Sequence, residues 1–303
     1  MLPARKWGDD MTASVMTSPR WAITLLLSIA MTTLPAAARS AGVALVTDLQ
    51  GKATGISDGQ TLNVTILTEL QARTQVQLGA GATLVALYLD AGDEYVFKGP
   101  ATIVFRAAQP EVLSGGKPEK RGPPLGTSGK DIRIKPIGIA QGAIVMRGPH
   151  ANARIQLLNL HQTRTLESRP EFRWRELQPG LKYGFKLSDD TGRTVLETQV
   201  DATSFKLPAG VQMKDGVPYT WEVSARLPDG RKYASSADFA IALADLRAQA
   251  EALRPASTAP LSSRVAYAAW LEQMDLKDEA RSYWQTAAAE RPEDRRLKGL
   301  AER

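Results

Sequence analysis

Cysteine is absent from the 303-residue chain, and histidine occurs only twice. Without cysteine the protein cannot form disulfides, use a thiolate nucleophile or carry the lipid-modified cysteine of a lipoprotein. His150 and His161 are not bracketed by Asp, Glu or Cys at a metal-ligand spacing. We therefore interpret both histidines as surface or turn residues rather than metal ligands or general bases.

Signatures of catalysis are also scarce. The sequence contains no P-loop, and no dinucleotide-binding glycine fingerprint follows a strand. Asp90, Asp93 and Glu94 surround a glycine turn without the spaced oxygen ligands of a calcium loop, and Asp189 and Asp190 occupy a hairpin tip. We predict no catalytic, cofactor-binding or metal-binding residues, and hence a protein that is not an enzyme. A hydrolase with an unrecognised site is one alternative.

The N-terminus has the pattern of an export signal. Arg20 precedes an apolar run over residues 21–34, and Pro35 then leads into small residues at the positions that a signal peptidase reads. We predict a signal peptide over residues 1–38, cleaved after Ala38, with Met16 as an alternative start. The run is short and rich in Ser and Thr for a bilayer core of ~30 Å, so we expect an exported protein that is not an integral membrane protein.

Composition and length favour several folded units. Hydrophobic residues make up 43% of the chain and charged residues 23%, which is typical of globular proteins with buried cores. Domains typically have about 150 residues, so a chain of this length should contain two or three units. Changes in the hydrophobic pattern divide the chain into regions 43–148, 151–241 and 242–303.

The first region, 43–148, reads as a series of short β-strands with glycines between them. In TLVALYL, residues 83–89, both alternating sets of side chains are apolar, which predicts a strand covered on both faces. LNVTILTEL, residues 62–70, reads as an earlier strand, and EYVFKG and ATIVFRA follow as further strands, with Gly92 and Gly99 at the joints. These patterns predict an all-β unit.

The order of these motifs resembles the FecR-type periplasmic β domain. The resemblance rests on TDLQGKATG, QVQLGAGATLVALYLDAGDEYVFKGPATIVF and LSGG, which together span about a third of the chain. It implies protein–protein signalling in the periplasm, the compartment expected if the cell is Gram-negative. The sequence shows no cytoplasmic regulatory domain of the kind that controls sigma factors. The resemblance therefore implies the β domain alone and not control of a sigma factor.

Residues 109–136 are dense in Gly, Pro and Lys, which predicts a long flexible loop. Six basic residues in this segment are candidates for binding a partner: Lys117, Lys120, Arg121, Lys130, Arg133 and Lys135. No aromatic residue interleaves with them as a stacking nucleic-acid site requires, so we expect no nucleic-acid binding. A solvated loop is the simpler interpretation, and an anionic glycan is the ligand that the charges would suit.

The second region, 151–241, alternates apolar and polar residues more regularly. EFRWRE, KYGFKLS and YTWEVSA each place aromatic residues on one face, and SDDTGR and LPDGRK have the residues of tight hairpin turns. The pattern resembles the fibronectin type III and immunoglobulin-like sandwich, which implies about seven strands. The alternation places Trp174 and Trp221 on the inward face of their strands. We therefore expect both to be core residues rather than part of a carbohydrate-binding surface.

The C-terminal region, 242–303, changes to helical periodicity. Leu243, Leu246, Ala250 and Leu253 predict one face of a first helix that Pro255 ends, and a second helix is expected from about Leu261. VAYAAWLEQMDLKDEARSYWQTAAAERPED then resembles a single tetratricopeptide hairpin. Because one such hairpin cannot bury its own faces, it must pack on the sandwich, on the first helix or on a partner.

Taken together, the patterns predict a mainly β protein with a FecR-like domain, a fibronectin-like sandwich and a C-terminal helical hairpin. We expect a non-enzymatic periplasmic protein that takes no cofactor and interacts with an envelope or inner-membrane protein. A cell-envelope polysaccharide or peptidoglycan binder is the other alternative.

Overall fold

The computed structural model describes residues 42–126 and 154–303. The predicted signal peptide lies outside the described residues, and so do Lys130, Arg133, Lys135 and His150. The described chain is mainly β, with four helices at its C-terminal end. We call residues 42–126 the first β region, residues 154–242 the second β region and residues 243–303 the helical tail.

The first β region contains ten short strands. They are β1 (Gly42–Gln50), β2 (Ala53–Ser57), β3 (Gln60–Asn63), β4 (Glu69–Gln71), β5 (Gln75–Leu78), β6 (Thr83–Tyr88), β7 (Glu94–Lys98), β8 (Ala101–Phe105), β9 (Pro110–Ser114) and β10 (Glu119–Arg121). They form two five-stranded antiparallel sheets, with the orders β10-β7-β6-β1-β4 and β3-β2-β5-β8-β9.

Strand β6 is buried on both faces, as its two apolar sets predict. Leu84, Ala86 and Tyr88 belong to the core of the first β region, together with Phe97 and Phe105. On the opposite face of β6, Leu87 packs in a different core that contains the helices. The sheet that contains β6 is therefore the middle layer, with the other sheet on one side and the helical tail on the other.

Two sequence expectations for this region were wrong in detail. The segment 109–136 was expected to be one flexible loop, but its described part contains β9 and β10, because their backbones bond to β8 and β7. The run LNVTILTEL was expected to be one strand, but it splits between β3 and β4. Leu67, buried between them, has a left-handed φ of 64°, which reverses the chain where a strand would have continued.

The second β region contains seven strands. They are β11 (Thr163–Thr165), β12 (Glu171–Arg173), β13 (Tyr183–Asp189), β14 (Thr194–Val200), β15 (Ser204–Lys206), β16 (Pro218–Arg226) and β17 (Lys232–Ile241). Five of them form a sheet of order β11-β17-β16-β13-β14, in which only the β11–β17 pair is parallel. Strands β12 and β15 form a two-stranded sheet.

An aromatic core holds these two sheets together. Phe172 of β12 lies 5.1 Å from Trp221 of β16, and Phe185 of β13 lies 4.6 Å from Phe205 of β15, measured between ring centroids. Trp174 is 1% exposed and Trp221 is fully buried, so the prediction that both are core residues is confirmed. Their burial rules them out as a surface platform for sugars.

The helical tail consists of α1 (Ala244–Leu253), α2 (Leu261–Gln273), α3 (Lys277–Glu290) and α4 (Arg295–Ala301). Helix α1 ends before Pro255 and α2 begins at Leu261, as predicted. Leu243 was expected on the buried face of α1, but it is 59% exposed and precedes the helix in an extended conformation. Helix α4 was not predicted from the sequence; Asp294 caps its N-terminus by accepting from the N–H groups of Arg296 and Leu297.

The tail does not project from the β regions, because one continuous core contains residues from all three. Helix α2 buries ten of its 13 residues. Its core cluster includes Leu45, Ile66 and Leu87 from the first β region and Ala242 from the second. The hairpin thus packs on α1 and on both β regions of its own chain. These contacts bury the faces that a single hairpin cannot bury by itself.

None of the helices in the described ranges, 42–126 and 154–303, has the length and apolar composition needed to cross a membrane.

Candidate functional site

The structure describes three of the six predicted basic residues, and it does not gather them into an open binding site. Lys117 is exposed in the segment between β9 and β10. Lys120 pairs with Asp93 at 2.7 Å and stands 5.9 Å from the centre of the Tyr95 ring, while Arg121 pairs with Glu119 at 2.8 Å.

These pairs neutralise two of the three described basic residues. Hydrogen bonding and the negative charge of Asp93 raise the pKa of Lys120, and a hydrogen bond from Arg121 lowers the pKa of Glu119. Both pairs lie on the surface, where solvent screens the charges. The described residues of this segment therefore present alternating charges rather than a continuous cationic patch.

The sequence GISDG, residues 55–59, has the G-x-S-x-G spacing of a hydrolase nucleophile elbow. The structure places it in the hairpin between β2 and β3, with left-handed φ values of 48° at Asp58 and 76° at Gly59. A nucleophile elbow joins a strand to a helix, and this segment joins two strands. The Ser57 hydroxyl accepts a hydrogen bond from the Thr74 hydroxyl at 3.2 Å, which gives it a structural partner.

A more distinctive site lies where the helical tail meets the second β region. We call residues 157–162 the junction loop; they connect an isolated β-bridge at Leu157 to β11. Leu160 and Gln162 both have left-handed backbone conformations, with φ values of 52° and 49°. Such conformations cost side-chain-bearing residues free energy, so they persist only where the surroundings impose them.

Four hydrogen bonds impose this conformation. The N–H of Leu160 donates to Asp278 of α3 at 2.7 Å, and the carbonyl of Leu160 accepts from the Trp221 indole at 2.9 Å. The N–H of Gln162 donates to the Asp238 carbonyl at 2.7 Å, and its own carbonyl accepts from the Lys277 ammonium at 2.6 Å. The junction loop is therefore fixed from both sides, by β16 and β17 and by α3.

The start of α3 is tied to the next residues of the same region. The Thr163 hydroxyl donates to the Asp275 carbonyl at 2.7 Å and accepts from the N–H of Lys277 at 3.0 Å. Arg164 adds an N–H bond to the same carbonyl at 2.7 Å. Asp275 itself has a left-handed φ of 60°, so the chain on both sides of this junction is held in unusual conformations.

A buried carboxyl group closes the junction further along α3. Glu279 Oε1 accepts from the Thr165 hydroxyl at 3.1 Å and from the N–H of Leu166 at 2.8 Å. Its Oε2 is buried and accepts no hydrogen bond from the described residues. Burial raises the pKa of Glu279, although the N–H of Leu166 acts in the opposite direction.

Two clefts open beside the junction loop, and exposed His161 lines both. One, of about 510 Å³, lies over the second β region and includes Arg154, Glu222 and Ser236. The other, of about 490 Å³, lies between the junction loop and helices α2 to α4. We call this second space the junction cleft, and both volumes fall in the ~300–1,000 Å³ range of ligand pockets.

Cations predominate in the lining of the junction cleft. Helix α3 contributes Lys277 and Arg281, Arg303 follows α4, and Glu272 of α2 is the one acidic side chain among the described lining residues. Arg281 pairs with Asp278 at 2.7 Å and donates to the backbone oxygen of Arg303 at 3.2 Å, so charges of both signs meet at the cleft.

Within the part of the chain that the structure describes, no three His, Cys, Asp or Glu side chains are grouped to hold a metal ion. The predicted basic candidates and the junction cleft are different places on the molecule. The cleft was missed because its charged residues, at 272, 277, 281 and 303, follow an ordinary helical charge pattern in the sequence. Lys277 and Arg281, at i and i+4 on α3, are the one local signal that could have indicated it.

No protein-family model matches this chain, and no curated protein matches it. The solved structures to which it is similar include the following three, all at low TM-scores. CopC from Methylosinus trichosporium OB3b is 16% identical at a TM-score of 0.22, over 29% of this chain and 94% of that one. A tetra-tandem repeat from the extending region of a large adhesion protein is 11% identical at 0.22, and dimeric latent PorU from Porphyromonas gingivalis is 17% identical at 0.23. These two matches cover 67% and 63% of this chain, but the chain spans only 42% and 16% of those proteins, and TM-scores this low identify no shared fold.

Proposed function

We propose that the protein is an exported, non-enzymatic interaction module of the periplasm that binds another protein of the cell envelope. In this proposal the first β region is a FecR-type domain, the second is a fibronectin-like sandwich, and the helical tail joins them. The signal peptide over residues 1–38 would direct export. The junction cleft would hold the partner.

Strand content supports the two domain assignments without deciding them. The first β region has two five-stranded antiparallel sheets, and the second has seven strands in two sheets packed around aromatic residues. The helical tail gives the proposal its mechanical basis. Because its core is shared with both β regions, the tail would fix them as one platform and present a constant surface to a partner.

The observation that carries the proposal is the fixed junction loop beside an open cleft. Leu160 and Gln162 are held in left-handed conformations by bonds from two structural elements. Strained, fully bonded segments of this kind concentrate at binding and catalytic sites, where they set side chains in place before a ligand arrives. His161 stands between these two residues and is exposed to both clefts.

Site-specific photo-crosslinking in cells tests this proposal. A benzophenone amino acid would replace His161 in one version of the full chain and Glu197, exposed on the edge strand β14, in the matched control. We expect one specific envelope protein to crosslink at position 161 and not at position 197. Equal crosslinking at both positions, or none at position 161, would contradict the proposal.

Export is tested separately, by fractionating cells and sequencing the N-terminus of the mature chain. A protein that begins at residue 39 in the periplasmic fraction supports the proposal. A cytoplasmic protein with an intact N-terminus would contradict it. Retention on purified sacculi that high salt abolishes would instead favour the polysaccharide-binding alternative.

A further inference from the structure

We propose that two copies of this chain pair through strand β14 of the second β region, joining their sheets across a two-fold axis at Thr198. This inference goes beyond the proposed function and does not rest on the junction cleft. Four features of β14 carry it. They are its place at a free sheet edge, its unbonded backbone groups, the absence of residues that block pairing, and a register in which the strand complements itself.

Strand β14 lies at the end of its sheet opposite to the helical tail. The sheet order is β11-β17-β16-β13-β14, and β11, at the other end, bonds through Thr163 and Thr165 to the start of α3. Strand β14 has seven residues, whereas the other strands at sheet edges in the described ranges have three to five. It therefore offers the longest edge in the described structure to which another strand can add.

The backbone of β14 directs unbonded groups toward this edge. In an antiparallel pair, every second residue of a strand turns both its N–H and its C=O toward the neighbouring strand. The 2.8 Å bond from the N–H of Leu227 to the Arg231 carbonyl closes the β16–β17 hairpin and sets this alternation. Followed through the register of β16 and β13, it turns Glu197 and Gln199 toward the open edge. Apart from a long bond of 3.5 Å from the Thr198 hydroxyl to the Gln199 carbonyl, these groups have no partner among the described residues.

Strand β14 lacks the residues that prevent another strand from adding. Natural edge strands block such pairing with proline, with lysine, or with a charged side chain that points toward the core. Strand β9 begins with a proline, and β10 contains a lysine and an arginine. On β14 the core-facing residues are Leu196, Thr198 and Val200, since their partners on β13 are buried apolar side chains. Leu196 and Val200 are only partly buried beside the aromatic core, so a second strand would cover apolar surface.

Charge selects one register for two copies of β14. With the axis at Thr198, Glu197 faces Gln199 of the second copy, and the two residues exchange backbone N–H···O bonds on each side of the axis. The two Glu197 carboxylates then lie on a diagonal, about 7–8 Å apart. Moving the axis by one residue would set Glu197 opposite Glu197 or opposite Asp201 of the second copy. Like charges directly opposite each other destabilise a sheet, so the register about Thr198 is preferred.

The same register matches the core-facing side chains. Leu196 meets Val200 of the second copy on each side of the axis, and the two copies of Thr198 meet on the axis itself. Apolar pairs and threonine pairs of this kind favour antiparallel strands. One strand from each copy forms a smaller interface than those of stable dimers, so we expect a reversible dimer with a dissociation constant of about 10–100 μM.

A single introduced cysteine tests the register, because the chain has no cysteine of its own. In Thr198→Cys the two Cα atoms should lie about 4.5 Å apart, within the range that a disulfide spans. In the control Gln199→Cys they should lie more than about 7 Å apart, which is too far. We expect the full mature chain with Thr198→Cys to form a disulfide-linked dimer under mild oxidation at least about tenfold faster than the control, although Gln199 is the more exposed residue. Equal rates, or a faster rate at position 199, would overturn the inference.

Sedimentation equilibrium tests the backbone bonds of the pairing. Gln199→Pro removes an N–H that faces the open edge in the single chain but donates across the interface in the dimer. Gln199→Ala keeps this N–H and is the matched control. We expect the proline variant to weaken dimerisation at least about tenfold and the alanine variant to change it less than about threefold. Equal losses in the two variants, or a wild type that stays monomeric at about 200 μM, would overturn the inference.

A variant that should strengthen the dimer keeps the result independent of folding. Glu197→Gln removes the two carboxylates that face each other on the diagonal, and a misfolded chain would not gain affinity for itself. We expect the dissociation constant of the dimer to fall about two- to fivefold at low salt, and this difference to shrink as salt increases. An equal or weaker dimer would contradict an axis at Thr198.

Photo-crosslinking separates this pairing from the proposed function. In the purified chain at about 200 μM, a benzophenone amino acid at position 197 should capture a second copy, seen as a product of twice the chain's mass. In cells, the same group at position 161 should capture a different envelope protein. A partner captured at position 161 without a dimer product at position 197 would reject the pairing and leave the interaction function standing. A dimer product at position 197 with no partner at position 161 would support the pairing and reject the interaction function.

Discussion

Arg291 forms a two-pronged ion pair with Asp48, although 243 positions separate them in the chain. The Arg291 Nε and Nη2 atoms donate to the two carboxylate oxygens at 2.9 and 2.8 Å. The two side chains are only 13% and 12% exposed, so the pair is largely removed from water. It connects the end of α3 to strand β1, and it therefore fastens the helical tail to the first β region.

Substituting one member of this pair should destabilise the protein strongly. Asp48→Asn leaves the Arg291 guanidinium largely buried without its counter-charge, for which we expect a loss of about 2–4 kcal/mol in the free energy of unfolding. Urea unfolding followed by tryptophan fluorescence measures the change. The matched control is Glu111→Gln, whose partner Arg106 is 52% exposed, and there we expect a change of less than about 1 kcal/mol. Equal losses in the two variants would mean that Asp48 does not fasten the tail.

A buried carboxyl group at the same interface should make stability depend on pH. Glu94 is 2% exposed, and it accepts from Thr47 at 3.0 Å and from Ser262 of α2 at 3.2 Å. Burial raises the pKa of Glu94 above its ordinary value, and the two hydroxyl donors only partly oppose this. Because the folded pKa is the higher one, Glu94 contributes full stability below its unfolded pKa and loses that contribution as pH rises through the folded pKa.

The substitution Glu94→Gln tests the direction of this effect. The amide cannot ionise, so the variant should gain stability relative to the wild type as pH rises from about 4 to about 8. Urea unfolding at a series of pH values gives the difference curve. The control is Glu119→Gln on the exposed strand β10. A hydrogen bond from Arg121 lowers the pKa of Glu119, so this variant should not gain stability relative to the wild type as pH rises. A difference curve for Glu94→Gln that is flat or falls with pH would contradict the assignment.

Local patterns in the sequence predicted much of the fold because burial follows periodicity. The two apolar sets of β6 and the inward aromatic residues of β12, β13 and β16 are buried as expected. Hairpin turns at Gly192 and Gly230 also formed, with left-handed φ values of 80° and 88°. These features depend on neighbours a few residues away, which a single sequence displays.

The junction could not be predicted in this way. Asp278 bonds to Leu160 from 118 positions away, and Leu160 adopts a conformation that leucine disfavours in isolation. The position of Glu94 against Ser262 likewise depends on where α2 docks. Each contact joins residues from different units, so it exists only once the tail has packed, and no local spacing encodes it.

Glu279 should be replaceable by glutamine but not by alanine. In Glu279→Ala the partly buried N–H of Leu166 and the Thr165 hydroxyl lose their acceptor, for which we expect a loss of about 1–3 kcal/mol in the free energy of unfolding. In Glu279→Gln the amide oxygen keeps both bonds and no charge is buried, so we expect stability within about 1 kcal/mol of the wild type or above it. Urea unfolding at neutral pH distinguishes the two. If glutamine is as harmful as alanine, keeping the two acceptor bonds is not sufficient, because the amide NH2 then lies buried without an acceptor at the position of Oε2.

Removing most of the helical tail should prevent the rest of the chain from folding normally. A chain that ends at Pro255 lacks α2 to α4 and exposes the apolar residues beneath them, including Leu45, Ile66 and Leu87. Each buried aliphatic side chain that becomes exposed forfeits about 1.5–3 kcal/mol, and the combined loss exceeds the total stability of most domains. We expect soluble aggregates by size-exclusion chromatography with light scattering, and strong binding of the dye ANS. A monomer that unfolds cooperatively would show that the β regions are independent of the tail. A truncated chain that misfolds would fail to bind a partner whatever the role of the tail. Point substitutions in the junction cleft therefore test binding more directly than the truncation does.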